Sequence, residues 1–135
     1  MNQTPVFVDT SAWICFFARK GFPEIKTALS ALLDENRVAV AGPVVIELIQ
    51  GCRSLREKMD VEDCLQGLRW LQVTDNHWSL AANLAFALRR KGVTVSAMDA
   101  LIATITIDYT CLLLHRDHDY GFITEHCPDL KHYPL

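Results

Sequence analysis

Short, unbroken apolar runs alternate along this chain with longer stretches that carry apolar residues at helical spacing. Val6-Phe7-Val8 is the first such run; it stops at Asp9 and predicts a buried strand. Residues 12–18 are almost wholly apolar and predict a helix buried on most sides, with Lys20-Gly21 as its basic last turn and capping glycine. A second helix is expected over 23–35. The run 38–41 predicts the next strand, ended by Gly42-Pro43, and proline suits the first turn of a helix over 44–52. A more polar helix over 55–68 and a strand over 70–73 follow. Thr74, Asp75 or Asn76 then caps a helix that runs to Lys91 and stops at Gly92, with Leu80, Leu84 and Leu88 as its apolar stripe. In 96–108, Met98, Leu101, Ile102 and Ile105 recur at i, i+3, i+4 and i+7, which predicts an amphipathic helix. Residues 111–114 form a last apolar strand before a short helix and tail.

Strands that are apolar at every position and alternate with helices favour a parallel sheet covered on both faces. The expected class is α/β, a three-layer α/β/α sandwich on a short parallel sheet. With 135 residues, 50% of them hydrophobic, and no repeat or linker, the sequence reads as a single domain over 1–135. A net charge of −3 speaks against a broad basic face that wraps nucleic acid, but not against a phosphate held through a metal ion. No uncharged apolar run approaches the ~18 residues of a membrane helix. Residues 1–5 show neither the basic stretch nor the cleavage site of a signal peptide. Five cysteines, mostly in apolar company and without a C-x-x-C pair, read as small hydrophobes in a reducing cytoplasm. His115, His118, His126, Cys127 and His132 lack the paired spacing of a structural zinc site.

Fold logic supplies a place to look for chemistry, because ligands of open α/β sheets sit outside the carboxyl ends of the strands. Asp9 ends the first strand and Asp117 lies just past the 111–114 strand, so both are expected on one rim. Two more acids, Glu47 and Asp99, interrupt apolar helix sequence, where a carboxylate is costly to bury without a partner. Few basic residues stand near any of the four. A set of carboxylates without side-chain cations suits a hard divalent ion, and the matching chemistry is metal-assisted phosphodiester hydrolysis. Each acid also has an ordinary reading. Asp9 can cap the first helix, and Asp99 can complete a capping box with Ser96. Glu47 can face solvent on a helix edge, and Asp117 and Asp119 can be turn residues. Arg116, directly beside the acids, is the candidate for a phosphate contact or else an exposed loop arginine.

At these residues the chain resembles a PIN-domain ribonuclease, most closely the toxin component of a VapBC-type toxin–antitoxin pair. The matching pieces are Val8-Asp9-Thr10-Ser11-Ala12-Trp13, Val45-Ile46-Glu47-Leu48, Met98-Asp99-Ala100-Leu101-Ile102-Ala103 and Leu113-Leu114-His115-Arg116-Asp117-His118-Asp119-Tyr120. No one piece is specific, but the ordered set spans most of the chain. The resemblance implies a Mg²⁺- or Mn²⁺-dependent endoribonuclease with its acidic quartet on Asp9, Glu47, Asp99 and Asp117, and with Asp119 as an alternative or supporting ligand. Where this chain has His115 the family often has a hydroxyl residue, and where it has Tyr120 the family often has phenylalanine. His115 is therefore read as a packed or solvated histidine more readily than as a phosphate contact.

The implied partners are an RNA substrate, a small cognate antitoxin and a second copy of the chain, in the cytoplasm and away from membranes. A helix or extended segment of an antitoxin would lie in an apolar groove, with the 12–17 helix and the 44–68 region, including Ile49, Cys52 and Leu55, as its walls. Those residues serve the core or a homodimer otherwise. One alternative is a catalytically inactive PIN scaffold that binds protein or RNA; all four acid positions being filled weighs against it. A phosphoacceptor receiver domain fits less well. Only Asp9 follows the first strand, and no strand-end lysine follows Asp117.

Overall fold

Every residue of β1 (Val6–Val8) and β2 (Val38–Val40) is buried, whichever side of the sheet it points to. Successive strand residues face opposite sides, so both faces of the sheet are covered. The computed structural model describes residues 3–135; the reading of 1–5 as free of a leader falls partly on residues outside those described. Along the chain β1 leads to α1 (Thr10–Phe17), α2 (Pro23–Asp34), β2, α3 (Gly42–Gln50), α4 (Leu55–Leu65), β3 (Arg69–Trp70) and α5 (Asp75–Arg90). Then come α6 (Ala97–Asp108), β4 (Leu112–Leu114), α7 (Asp119–His126) and β5 (Lys131–His132). The strands pair in parallel in the order β3-β2-β1-β4-β5. This is the expected α/β/α sandwich.

The chain builds outward from β1 to β2 and β3, then returns to place β4 on the other side of β1, with Val8 in register with Leu114. That reversal puts a topological switch point between the carboxyl ends of β1 and β4, where open α/β sheets place ligands. Asp9 and the segment after Leu114 both issue there, tied by a 2.9 Å bond from the Asp9 N–H to the Leu114 carbonyl.

Four local expectations need correction. Helix α1 ends at Phe17, before Lys20-Gly21, with Ala18 already extended. The link to α2 needs two successive left-handed residues, Gly21 at φ 83° and Phe22 at φ 57°, so the glycine's freedom is used there and not in a helix cap. Helix α6 is not amphipathic, because all of residues 100–106 are buried between the sheet and α5. Small residues make this feasible, and Thr104 and Thr106 donate internally to the carbonyls of Ala100 and Ile102 at 2.8 Å. On α5 the i, i+4 leucines wind off the buried face, which carries His77, Ala81 and Leu88, and leave Leu80 42% exposed. Finally, β3 is only Arg69–Trp70, and β5 is an edge strand that the sequence pattern did not reveal.

No helix among the described residues is long and apolar enough to cross a membrane. Cys15 and Cys111 are buried, and Cys52, Cys64 and Cys127 are half-buried.

Candidate active site

Asp9 ends β1 and caps α1, and it is 5% exposed. Its Oδ2 accepts the Ser11 N–H at 3.0 Å and the Ser11 hydroxyl at 2.6 Å. Its Oδ1 accepts the Tyr120 hydroxyl at 2.8 Å. Ser11 Oγ in turn accepts the Arg116 N–H at 2.9 Å, which staples the β4–α7 segment onto the start of α1. Capping and site geometry are thus combined in one carboxylate.

Asp99 opens α6 with its N–H donated to the Ser96 hydroxyl at 3.0 Å, half of the expected capping box. Its carboxylate is turned toward the rim, where Oδ1 lies 3.3 Å from the Tyr120 hydroxyl. Asp117 follows β4, its N–H on His115 Nδ1 at 3.2 Å and its Oδ1 accepting the Asp119 N–H at 2.9 Å. An oxygen from each of Asp99, Asp117 and Asp119 lies within 4.8 Å of the others. Asp119 does not continue an extended segment. It is the first residue of α7, reached through a turn closed by Tyr120 N–H to Asp117 carbonyl at 3.2 Å. Glu47 stands apart from this trio on α3, where the hydroxyl of Thr10, next to Asp9, donates to its Oε1 at 2.7 Å.

Among the described residues no lysine or arginine pairs with any of these acids; only His118, on an exposed side chain, approaches Asp119 at 3.8 Å. Two like unit charges about 4 Å apart repel by about 4 kcal/mol at the effective dielectric near a protein surface, and a helix cap returns about 1 kcal/mol. Capping alone therefore does not explain the cluster. Burial, with the charges of Asp117 and Asp9, pushes the Asp99 carboxyl up to about 6. Hard oxygen donors, crowded and without a cation, are the donor set that suits a divalent ion.

Sequence reasoning missed what supports the acids from below. Tyr120 is fully buried, and burial together with Asp9 and Asp99 drives its phenol far above the ordinary range, so it remains a proton donor. Its ring packs on His115 with centroids 4.9 Å apart. Because the Asp117 N–H donates to His115 Nδ1, the proton of that imidazole sits on Nε2, which meets His132 Nδ1 at 2.7 Å. His132 Nε2 then reaches the Thr124 hydroxyl, which donates to the Tyr120 carbonyl at 3.1 Å. Burial holds both imidazoles below their ordinary values, in keeping with this one-directional, neutral chain. Both ring nitrogens of His115 are thus engaged within the protein, while the half-buried residue borders the open surface beside Arg116 and Asp117. The signal available in the sequence was the Tyr120 departure itself.

Arg116 lies at the surface beside the acids, its guanidinium carbon 5.1 Å from the centroid of the Phe22 ring.

Fold and site together define a doubly wound α/β protein with a carboxylate cluster at its switch point. The PIN domain family pattern matches residues 6–123, and the chain belongs to the PIN domain family. It is 32% identical over 123 residues to the VapC ribonuclease Mb1587 of Mycobacterium bovis, covering 87% of this chain and 90% of that protein. Ribonuclease VapC11 of Mycobacterium tuberculosis matches with the same identity and coverage. Among solved structures, DNA-bound VapBC from Salmonella typhimurium superposes with a TM-score of 0.79 at 20% identity, covering 96% of this chain and 97% of that one. These relatives bear out the resemblance read from the four motif segments.

Proposed function

We propose that this protein is a metal-dependent endoribonuclease and the toxin of a toxin–antitoxin pair. The observation that carries the reading is a carboxylate cluster that no lysine or arginine among the described residues pairs with, at the switch point of a chain 32% identical to VapC ribonucleases. Asp9, Asp99 and Asp117 would hold Mg²⁺ or Mn²⁺, with Asp119 supporting them and Glu47 completing the acidic set. Bound there, the ion supplies charge neutralisation at the phosphoryl oxygens and a lowered pKa for the attacking water. The chain's own residues do the positioning. Ser11 and Tyr120 fix both oxygens of Asp9, and Ser11 also anchors the Arg116 backbone. Arg116 contributes a fixed positive charge for the RNA phosphate at the edge of the cluster. Glu47 keeps Oε1 on the Thr10 hydroxyl, which leaves Oε2 to accept a proton or approach the ion.

The partner reading rests on α1, α3 and α4. Ile14, Ile46, Leu55 and Met59 are 61%, 66%, 71% and 51% exposed, whereas Ile49 and Cys52 are half-buried against the core. An antitoxin segment laid over these residues, with an arginine or lysine reaching the acids, would supply the missing cation.

The test is single-stranded RNA incubated with purified protein and Mg²⁺ or Mn²⁺. Cleavage that chelation abolishes is expected, together with growth arrest on expression that the genomic neighbour relieves. A wild-type protein that cuts no RNA with either ion, yet binds it, would favour the inactive scaffold instead.

A further inference from the structure

Beside the carboxylates lies an open cleft of about 590 Å³, bounded by the α1–α2 link and start of α2 on one side and by the β4–α7 segment on the other. Its walls include Phe22, Glu24 and Leu135, facing Arg116, Asp117 and His118. It therefore shares Asp117 with the acidic cluster. Three observations distinguish it from an incidental groove. Phe22 is a bulky residue held at φ 57°, a backbone state that costs energy and collects at ligand clamps. The residue is 37% exposed and does not join the core cluster. The Arg116 guanidinium carbon lies 5.1 Å from the centroid of the Phe22 ring, a cation–π contact that sets a positive charge beside an aromatic face at the mouth of the cleft.

Stacked aromatic and guanidinium planes are how proteins hold unpaired RNA bases, whose faces are flat and whose backbone carries negative charge. We propose that this cleft is a nucleobase subsite, in which the Phe22 ring is the platform for an unpaired base and Arg116 beside it holds the adjoining phosphate. This rests on the ribonuclease reading and deepens it. The occupant is a base of single-stranded or looped RNA, because a base stacked in a helix presents no face to the ring. Glu24, which enters no ion pair among the described residues, lines the cleft with an acceptor for the amino group of guanine, adenine or cytosine.

The probe is a set of short end-labelled single-stranded RNAs of mixed sequence, cut in Mn²⁺. Once the cleaved bond is mapped, the same RNAs are made with an abasic ribose on either side of it. Phe22→Ala is expected to raise KM about tenfold, the usual cost of losing a base–aromatic stack, while kcat changes far less. Phe22→Tyr, which keeps the ring, should retain the wild-type KM. An abasic ribose on one flank should cost the wild type a similar factor and cost Phe22→Ala nothing more, since the partner is already gone. A wild type that cuts RNA while Phe22→Ala cuts equally well overturns the subsite and leaves the ribonuclease reading standing. Losses that multiply, or a Phe22→Tyr variant as weak as Phe22→Ala, overturn it too. A wild type that cuts nothing overturns both.

Discussion

Two buried polar groupings in this molecule are built on opposite terms. Between α5 and α6, His77 is 2% exposed and every polar atom of its ring is answered. Its Nδ1 accepts the Thr74 N–H at 2.9 Å, and its Nε2 meets Asp108 Oδ2 at 2.7 Å. At the switch point, Asp9, Asp99, Asp117 and Asp119 gather without a basic partner other than the exposed His118 near Asp119. A buried polar group kept for architecture comes with its complement, because an unanswered one costs 1–3 kcal/mol. Like charges held together by Ser11, Tyr120 and the His115–His132 chain are a local cost of folding, which a bound cation would relieve.

The sharpest way to break this comparison is to mutate both regions. Asp99→Asn removes one charge from the cluster with little change in shape. RNA cleavage at saturating Mn²⁺ should fall by about a hundredfold or more, while the melting temperature without metal stays level or rises. His77→Ala should do the reverse. It leaves Asp108 and the Thr74 N–H without their shared partner and costs about 1–3 kcal/mol of stability, with kcat per folded molecule unchanged. Denaturant titrations and initial rates on both variants decide it. Equal patterns in the two variants would erase the distinction.

Within the cluster the comparison is finer. Asp117 is held from both sides, by the His115 ring on its N–H and by the Asp119 N–H on its carboxylate, whereas the Asp119 side chain is 35% exposed. Asp117→Asn is expected to lose about tenfold more turnover than Asp119→Asn, a difference of about 1.4 kcal/mol in barrier. Rates of the two folded variants at saturating Mn²⁺ check this, and equal or reversed losses would make Asp119 the better ligand.

How much of this was legible in the sequence follows from the range of the interactions. Strands β1, β2 and β4 announce themselves because burial on both faces leaves only apolar residues, as in Val6-Phe7-Val8. Glu47 and Asp99 stand out because each breaks an apolar helix context, and Asp9 and Asp117 because each follows an apolar strand. The parallel sheet, and with it the shared rim of Asp9 and Asp117, followed from the alternation of strands with helices, whereas the strand order did not. Non-local pairings left no such mark. His115 and His132 are 17 residues apart, joined only because the two-residue strand β5 pairs with β4. The Tyr120 hydroxyl lies 111 residues from Asp9 in sequence. The buried run of α6 was misread because its small residues mimic a polar face until α5 covers them.

A pH titration sharpens the contrast in the opposite sense from ordinary acid denaturation. The Asp99 carboxyl, raised by burial and its acidic neighbours from 3.8 to about 6, binds a proton in the folded state that the unfolded chain has already released. Between those values the folded protein holds more protons, so metal-free stability should fall as pH rises and level off above about 6. Asp99→Asn should abolish that slope. Mn²⁺ should stabilise more strongly above this window than below it, because protons compete for the same oxygens. Melting temperatures across the window, with and without Mn²⁺, measure both effects. A wild type whose slope matches that of Asp99→Asn would show that the carboxylates do not feel one another.

The smallest expected effect comes from the residue that touches the cluster without being one of its acids. Tyr120→Phe removes the hydroxyl that donates to Asp9 Oδ1 at 2.8 Å and stands 3.3 Å from Asp99 Oδ1, and leaves the ring packed on His115. One proton cannot serve both oxygens at once, so the hydroxyl eases the repulsion only partly. Asp9 keeps its two bonds from Ser11. The metal-free variant should therefore lose about 1 kcal/mol, the net worth of one hydrogen bond. With a divalent ion bound, the positive charge takes over the role of that proton. The rise in melting temperature on adding Mn²⁺ should then be larger in Tyr120→Phe than in the wild type, and turnover at saturating Mn²⁺ should stay within about threefold, under 1 kcal/mol of barrier. Scanning with and without Mn²⁺, followed by rates at saturation, separates the two roles. Turnover that collapses as far as in Asp99→Asn, with the fold intact, would move Tyr120 from support of the carboxylates into the reaction itself.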